Sequence, residues 1–179
     1  QVATLPCAGL TAWNGLNCGG LVKAGDIVLV QGTGGVSIFA LQFAKMAGAE
    51  VIVTSSSGEK LERAKDLGAD YLINYVDTPK WGSEAMNLTA GRGVDIVVEV
   101  GGAGTMIESL EALRIGGHIA VIGILEGNEC SVPMMHIIGK SASIQGHFVG
   151  SRDSFEDMCR AIDAAKSQPI ISDTFGYED

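Results

Sequence analysis

The stretch Ile27-Val28-Leu29-Val30-Gln31-Gly32-Thr33-Gly34-Gly35-Val36-Ser37 decides the fold of this protein. Its aliphatic residues predict a buried strand, which meets a glycine-rich turn and then a helix from Val36 to about Ala47. Gly32 suits the tight turn out of the strand, and Gly34 has no side chain to keep a ligand from the backbone. The free N–H groups and partial positive charge at the start of the helix attract an anion. The stretch therefore predicts a strand–turn–helix phosphate site.

The glycine pattern resembles the G-x-G-x-x-G fingerprint of dinucleotide-binding folds, with Ser37 where the third glycine would stand. Serine is small enough for the helix to pack closely on the strand, so this departure is mild. The alternative interpretation is a plain glycine turn in an α/β protein that binds no nucleotide. A strand before the turn, a helix after it and a second strand about twenty residues further on favour the dinucleotide site.

Strand and helix signals alternate along the rest of the chain. Further strands are predicted at 51–53, 71–73, 96–98, 119–122 and 143–146, and further helices at 12–24, 59–67, 78–90, 104–114 and 152–166. Gly48 and Gly68 fit helix-terminating positions, and Ser151 or Asp153 can cap the last helix. Strands separated by helices predict an α/β fold, a doubly wound parallel six-stranded sheet of the Rossmann type with strand order 3-2-1-4-5-6.

Composition narrows the classes of partner. The formal charge of -9, from 21 acidic and 12 basic residues without a Lys/Arg cluster, argues against nucleic acid or an anionic membrane surface. No apolar run reaches the ~20 residues of a membrane span. The four cysteines are widely spaced and form no CxxC pair, which favours reduced thiols in a cytoplasmic protein. A small-molecule ligand is the partner that remains.

The end of the second strand indicates which dinucleotide is preferred. A carboxylate at this position would bond the adenosine ribose diol and repel a 2′-phosphate. Here the strand runs into Ser55, Ser56 and Ser57 without an acid, and Lys60 follows one helical turn later. Hydroxyls and a cation favour NADP(H) over NAD(H). The alternatives are that 55–58 only caps the next helix with Lys60 solvated, or that Lys60 serves a ribose hydroxyl.

Several motifs together resemble the cofactor domain of the medium-chain dehydrogenase/reductase superfamily, in particular zinc-type alcohol dehydrogenase-like proteins and quinone oxidoreductases. The resemblance covers nearly the whole chain and is far more specific than the glycine loop alone. It is carried by residues 5–13 (LPCAGLTAW), 31–37 (QGTGGVS), 67–70 (LGAD), 73–75 (INY), 94–102 (VDIVVEVGG) and 116–123 (GGHIAVIG).

The resemblance implies a domain organisation. The family places a GroES-like substrate domain before this region and returns to it afterwards. We therefore expect 1–24 to be a connecting helical segment from that domain, 25–170 to be the dinucleotide-binding Rossmann domain, and 171–179 to start the return. The isolated chain is then expected to bind nucleotide with little or no turnover, because the substrate pocket and proton-transfer residues would lie outside it.

The resemblance also implies the roles of individual residues, with no catalytic residue assigned. Gly34, Gly35 and Val36 would cradle the pyrophosphate, and Ser55 falls at the ribose-acid position. Lys60 and Tyr75 look like the adenine-ribose phosphate contacts of NADPH-using quinone reductases, although a tyrosine at a strand end often only packs an edge. The expected cofactor-binding residues, including those on the nicotinamide side, are Thr11, Gly32, Gly34, Gly35, Val36, Ser55, Ser56, Lys60, Tyr75, Val100, Gly101, Gly123 and Ile124.

Cys7 matches the cysteine that ligates catalytic zinc in zinc-containing alcohol dehydrogenases that this chain resembles. Zinc needs about three protein ligands and an open position, and the expected partners of Cys7 would lie in the substrate domain. Zinc is thus expected only in an intact enzyme, and the alternative is a small buried cysteine as in zinc-free relatives. The isolated histidines His118, His136 and His147 are interpreted as structural or exposed.

The implied reaction is hydride transfer between C4 of a nicotinamide and the carbon of an alcohol, aldehyde or ketone, with the chemistry carried by the cofactor. Two alternatives stay open, a zinc-free NADPH quinone or enoyl reductase and a non-catalytic nucleotide sensor. Upstream metal ligands would favour the zinc enzyme, their absence the reductase, and loss of the substrate domain the sensor. The substrate itself stays undetermined.

Relatives in this family often dimerise by joining the sixth-strand edge across a two-fold axis. Ile144, Phe148 and Val149 supply apolar surface there, so a homodimer through this edge is expected. The alternative is a monomer in which a terminal segment folds back over the edge.

Overall fold

Parallel strands form the centre of the protein, in a computed structural model that describes residues 2–19, 21–171 and 176. The strands are β1 (Ile27–Gln31), β2 (Glu50–Ser55), β3 (Tyr71–Asn74), β4 (Val94–Glu99), β5 (Leu113–Val121) and β6 (Ser143–Gly146). Within the described residues they make one six-stranded sheet in the order β3-β2-β1-β4-β5-β6, and every neighbouring pair is parallel. The predicted fold class and strand order are confirmed.

Helices cover both faces of the sheet. After a 3₁₀ turn (Val2–Thr4) and a π-helical turn (Leu5–Gly9), they are α1 (Leu10–Asn17), α2 (Gly35–Met46), α3 (Gly58–Asp66), α4 (Trp81–Leu88), α5 (Met106–Ala112), α6 (Met134–Lys140) and α7 (Arg152–Ala165). Residues of α1, α2, α3 and α7 pack into the core on one face, and residues of α4, α5 and α6 into the core on the other. None of the helices that the structure describes is long and apolar enough to cross a bilayer.

The aliphatic composition of the strands follows from this arrangement. In β1, Val28 and Val30 belong to the core beneath α2, whereas Leu29 belongs to the core beneath α5, and all three are fully buried. Successive side chains of a strand point to opposite faces, so a strand covered on both sides needs apolar residues at every position. Polar side chains that can contact a ligand are therefore expected at the strand ends, where the candidate cofactor site described below lies.

The first helix differs from its predicted range of 12–24. It begins at Leu10 and ends at Asn17, because Cys18 is extended with φ -104° and ψ 103°. Gly19 has φ +96°, which lies outside the helical region and suits glycine. The prediction took Gly25 as the stop and was wrong by two helical turns at this end.

The segments around α4 and α5 are shorter than predicted. The helix predicted at 78–90 is confined to Trp81–Leu88, because Pro79 precedes it and Lys80 has a non-helical ψ of 56°. The helix predicted at 104–114 ends at Ala112, since the chain enters β5 at Leu113, which pairs with Val94. A register irregularity between Val94 and Ile96 accompanies this early start, and β5 ends one residue before its predicted limit at 122.

The short helix α6 was missed by the sequence analysis. It spans seven residues that include none classed as buried, so it lacks the amphipathic periodicity that reveals a helix. Pro133 at its N-cap and Lys140 in its last turn were local signals for it.

Several local predictions are confirmed. Gly48 and Gly68 follow α2 and α3 with φ +85° and +101°, and the Ser151 hydroxyl caps α7 by accepting from the N–H of Ser154 at 3.1 Å. The four cysteines are free thiols. Met158 of α7 is fully buried, with Phe155 beside it against the same core.

Candidate cofactor site

The turn between β1 and α2 has the geometry of a phosphate loop. Gly32 leaves the strand with φ +71°, and its N–H donates to the carbonyl of Thr54 in β2 at 2.8 Å. Gly34 is the N-cap of α2, the helix has no side-chain capping hydrogen bond at this end, and no acidic residue lies in its first turn. Apart from chain neighbours, no heavy atom lies within 4 Å of the place that a Cβ would take at Gly34. The helix therefore presents its first N–H groups to open space.

Ser37 stands at the position of the third glycine of the fingerprint, and α2 still packs closely on β1 there. Its side chain is buried, with the residue 3% exposed, and its hydroxyl donates to the carbonyl of Gln31 at 2.7 Å. The first turn of α2 is therefore hydrogen-bonded to the end of β1. The Ser37 side chain therefore fits the small space between helix and strand, and its hydrogen bond also anchors the loop to β1.

The end of β2 holds the serines and Lys60 at the other side of the phosphate loop. Ser55 is 5% exposed, and its hydroxyl accepts from the N–H of Ser57 at 3.3 Å. Ser57 caps α3 by accepting from the N–H of Lys60 at 3.4 Å. The capping interpretation of this segment is thus correct for Ser57, and it coexists with exposed side chains at Ser56 and Lys60.

One pocket collects most of the predicted cofactor residues along the carboxyl ends of the strands. Among its lining residues are Gly32, Gly34, Gly35, Val36, Ser55, Ser56, Lys60, Tyr75, Val100 and Gly123. An adjoining pocket shares Gly32, Tyr75 and Val100 and adds Gly101. Among the described residues that line these two pockets, the one basic side chain is Lys60, in the first pocket, and the one acidic side chain is Glu126, in the adjoining pocket. The positive charge therefore stands at the β2 end of the site.

Two predicted site residues lie outside this lining. Thr11 is buried in α1, where its hydroxyl donates to the carbonyl of Cys7 at 2.7 Å. Ile124 is 64% exposed, although its neighbours Gly123 and Leu125 both line the pocket. Neither residue is therefore part of the lining of the two pockets.

Sequence reasoning gave no role to two polar residues at the strand ends. Gln31, the last residue of β1, lines both pockets, and its amide donates to the carboxyl group of Glu99, the last residue of β4, at 2.7 Å. Glu99 is fully buried. The available signal was an acid directly after the apolar run Ile96-Val97-Val98, where a fully buried side chain is expected.

Cys7 lies exposed in the π-helical turn, in a hollow that also includes Ala8 and Gly35. In the part of the chain that the structure describes, no group of three or more His, Cys, Asp or Glu side chains is placed to hold a metal ion. Since zinc requires about three protein ligands, the residues described here do not make a zinc site by themselves.

The sheet order, the glycine turn at the start of α2 and the pocket across the strand ends define a Rossmann-type nucleotide-cofactor domain. The open cradle at Gly34 fits a pyrophosphate, because backbone can approach closely there.

Comparison with known proteins assigns the domain to a family. The family model described as zinc-binding dehydrogenase matches residues 35–164. A zinc-type alcohol dehydrogenase-like protein of Schizosaccharomyces pombe is 48% identical over 184 residues, covering 99% of this chain and 53% of that protein. The chain belongs to the medium-chain dehydrogenase/reductase superfamily of oxidoreductases, of which it represents the cofactor-binding domain. It spans about half the length of the curated relatives it matches.

Solved structures show the same fold with different cofactors. An NAD-dependent alcohol dehydrogenase superposes with a TM-score of 0.85 at 38% identity, over 93% of this chain and 48% of that chain. A mycobacterial protein complexed with NADPH superposes with a TM-score of 0.83 at 32% identity, over 94% of this chain and 54% of that chain. The fold is therefore compatible with either dinucleotide, and the choice depends on individual residues.

Proposed function

We propose that this chain binds NADP(H) in preference to NAD(H), as the cofactor domain of an enzyme that transfers a hydride to or from an alcohol, aldehyde or ketone. The observation that carries the proposal is the pocket in which Gly34, Ser55 and Lys60 meet. It combines a glycine turn for the pyrophosphate with hydroxyls and a cation where a 2′-phosphate would lie.

The ribose end of the pocket supports the preference for NADP(H). Ser55 and Ser56 bring hydroxyls and no carboxylate, so nothing at the end of β2 repels a 2′-phosphate. The exposed Lys60 supplies a positive charge from the first turn of α3, and Tyr75 lines the same pocket from the end of β3. A charge-assisted contact to a phosphate is about twice as strong as a neutral hydrogen bond.

The residues of this chain bind and orient the dinucleotide. Gly34 and Gly35 would accept the pyrophosphate against the first N–H groups of α2, and Val100, Gly101 and Gly123 would form the wall on the nicotinamide side. Bound nicotinamide supplies the hydride chemistry. In this proposal residues 1–24 connect to a substrate domain, 25–170 form the cofactor domain and 171–179 return to the substrate domain, which would contribute the remaining catalytic groups.

A zinc-free NADPH-dependent reductase of quinones or enoyl thioesters is the second candidate. The placement of Lys60 and Tyr75 in one pocket favours it, since these residues look like the phosphate contacts of such reductases. The sequence preceding residue 1 in the whole enzyme distinguishes the candidates, because a zinc enzyme carries further Cys and His or Glu ligands there.

Calorimetric titration of the 179-residue chain with NADPH and with NADH tests the proposal. We expect both to bind and NADPH to bind more tightly. A tighter complex with NADH would overturn the preference, and absence of binding to either would overturn the cofactor-domain proposal itself.

A further inference from the structure

The carboxyl ends of β1 and β4 are joined by two buried polar side chains. Glu99 is fully buried and Gln31 is 4% exposed. The Nε2 of Gln31 donates to Oε2 of Glu99 and to the hydroxyl of Ser109, both at 2.7 Å, and its Oε1 accepts from the N–H groups of Val100 and Gly101 at 3.1 and 3.2 Å. The side chain of Gln31 is therefore held at both ends, and it cannot reverse its amide without disrupting these four hydrogen bonds.

Glu99 accepts from four further donors in addition to Gln31. Its Oε1 accepts from the N–H groups of Gly101 and Gly102 at 2.8 and 2.9 Å and from the hydroxyl of Thr105 at 2.5 Å. Its Oε2 accepts from the hydroxyl of Ser109. Glu99 takes part in none of the ion pairs among the described residues. A buried carboxyl group without a basic partner depends on such hydrogen bonds to offset its desolvation.

The same network reaches the phosphate loop. The carbonyl of Gln31 accepts from the hydroxyl of Ser37 in the first turn of α2 at 2.7 Å. Gln31, Val100 and Gly101 line the pocket, whereas Glu99 lies beneath them and does not line it. Two walls of the pocket, the glycine turn and the loop after β4, are thus joined through one carboxyl group that makes no contact with the pocket itself.

We propose that Glu99 is a positioning residue for the dinucleotide. Through Gln31 and the backbone N–H groups of Gly101 and Gly102, it holds the loop after β4 and the phosphate loop at a set separation before the cofactor arrives. Walls ordered in advance reduce the entropy that binding must remove, so the network raises affinity without touching the ligand. This inference rests on the proposed function, because it needs a dinucleotide that spans both walls.

The variant Glu99→Gln tests the role while keeping the shape of the side chain. One acceptor oxygen becomes an NH₂ group, which must face either the N–H groups of Gly101 and Gly102 or the amide of Gln31, so donors lose their acceptor. We expect the Kd for NADPH to rise about tenfold or more. Hydrogen exchange at the amides of Gly101 and Gly102 should accelerate in the ligand-free chain, which a general loss of stability at remote sites would not single out.

A matched control separates positioning from stability. Ile96 is 1% exposed in the same strand and takes no part in the network, so Ile96→Ala lowers the melting temperature by creating a cavity. Its Kd for NADPH should stay within about twofold of the native value, since both pocket walls are untouched.

Ser109→Ala is a second, milder test of the same network. The Ser109 hydroxyl donates to Oε2 of Glu99 and accepts from Nε2 of Gln31 at 2.7 Å, and Ser109 lines neither pocket. We expect the Kd for NADPH to rise about two- to threefold, because Glu99 and Gln31 each lose one partner. If Glu99→Gln fails to fold, this variant still decides the question.

The outcomes distinguish the two proposals. A native chain that binds neither NADPH nor NADH overturns the proposed function, and with it this inference. If the native chain binds, a Glu99→Gln variant whose Kd changes no more than that of Ile96→Ala overturns the positioning role alone. A Ser109→Ala variant with the native Kd overturns it as well.

Discussion

At the scale of single residues, the proposed preference for NADP(H) depends on Ser55. It is the last residue of β2 and lines the pocket. We predict that Ser55→Asp shifts the balance towards NADH by roughly 1–3 kcal/mol, because a carboxylate there accepts from a ribose diol and repels a 2′-phosphate. The ratio of the two dissociation constants, measured by calorimetry, checks this.

Ser151→Asp is the matched control for that substitution. Ser151 caps α7 and lines none of the pockets near the glycine turn, and aspartate caps a helix as well as serine does. This variant carries the same added charge and should leave the ratio unchanged. A Ser55→Asp variant with the native ratio would show that the ribose lies elsewhere.

Gly34 is the residue on which the proposed position of the pyrophosphate depends. Valine at this position is expected to abolish dinucleotide binding, because its side chain occupies the space that the pyrophosphate needs. The fold should persist, since Gly34 has φ -76° and ψ 179°, which other residues adopt freely. Titration with NADPH and a circular dichroism spectrum check both parts.

Gly139→Val provides the comparison, because Gly139 in α6 also has no heavy atom within 4 Å of a built Cβ. Binding by this variant should match that of the native chain. Normal binding by Gly34→Val would mean that the phosphate lies on another loop.

At the scale of elements, β5 and the residue after β6 bring two histidines together beneath α1. The ring centroids of His118 and His147 lie 6.0 Å apart, and the two residues are 4% and 7% exposed. The Nε2 atoms of both rings have no hydrogen-bond partner among the described residues. His136 is exposed, and the pairing of the other two histidines was not foreseen from the sequence.

This pair predicts a loss of stability in mild acid. Burial lowers the pKa of both rings below the ordinary 6.5, and the charge of His147 lowers the pKa of His118 further. The unfolded chain takes up protons near pH 6.5 while the folded rings stay neutral. The stability from these rings is therefore complete above the unfolded pKa and falls as the pH drops towards the folded values. Urea midpoints measured from about pH 8 to about pH 5 should decrease.

Substitution tests the source of that slope. The double variant His118→Gln/His147→Gln should flatten the decrease, because neither ring remains to be protonated on unfolding. His136→Gln removes an exposed imidazole and should leave the slope as it is. A slope that persists in the double variant would assign the pH dependence to other groups.

At the scale of the whole molecule, the β6 edge of the sheet bears on assembly. β6 is the edge strand, as predicted, and apolar side chains near it are exposed, with Ile144 at 39% and Phe148 at 98%. An uncovered apolar edge is a pairing surface. We propose that two copies of this chain join there across a two-fold axis, where one substitution acts on both sides of the contact.

Ile144→Pro is expected to shift this dimer towards the monomer. The N–H of His147 donates to the carbonyl of Val121 in β5. Every second N–H group along a strand points to the same side. Ile144 is three residues before His147, so its N–H points to the opposite side, away from β5. Proline there removes an edge donor while sparing the ladder to β5. Light scattering at micromolar concentration measures the mass, and a native chain that is already monomeric would remove the dimer proposal.

Local patterns in the sequence were sufficient for the sheet order, the glycine turn and, to within about one residue, the ends of α2, α3 and α7. The consecutive aliphatic residues 28–30 indicate a strand buried on both faces, and the glycines at 48 and 68 indicate helix ends. Both signals are local, because backbone preference and apolar periodicity act between near neighbours in the chain. The sequence analysis extended the first helix to residue 24, whereas α1 ends at Asn17, and it missed α6 altogether. Leu113 joined a strand instead of a helix because its partner Val94 was available across the sheet.

What the sequence alone determined was therefore the fold and the position of the glycine turn, since both follow from interactions over a few residues. Only the tertiary structure decided which distant side chains meet. Gln31 and Glu99 lie 68 residues apart in the chain, and they bond because β1 and β4 are neighbours whose ends coincide. His118 and His147 likewise meet only once β5 and β6 pair. The physical reason is that a buried polar contact depends on strand register and side-chain rotamer together, and no local pattern in the sequence encodes both.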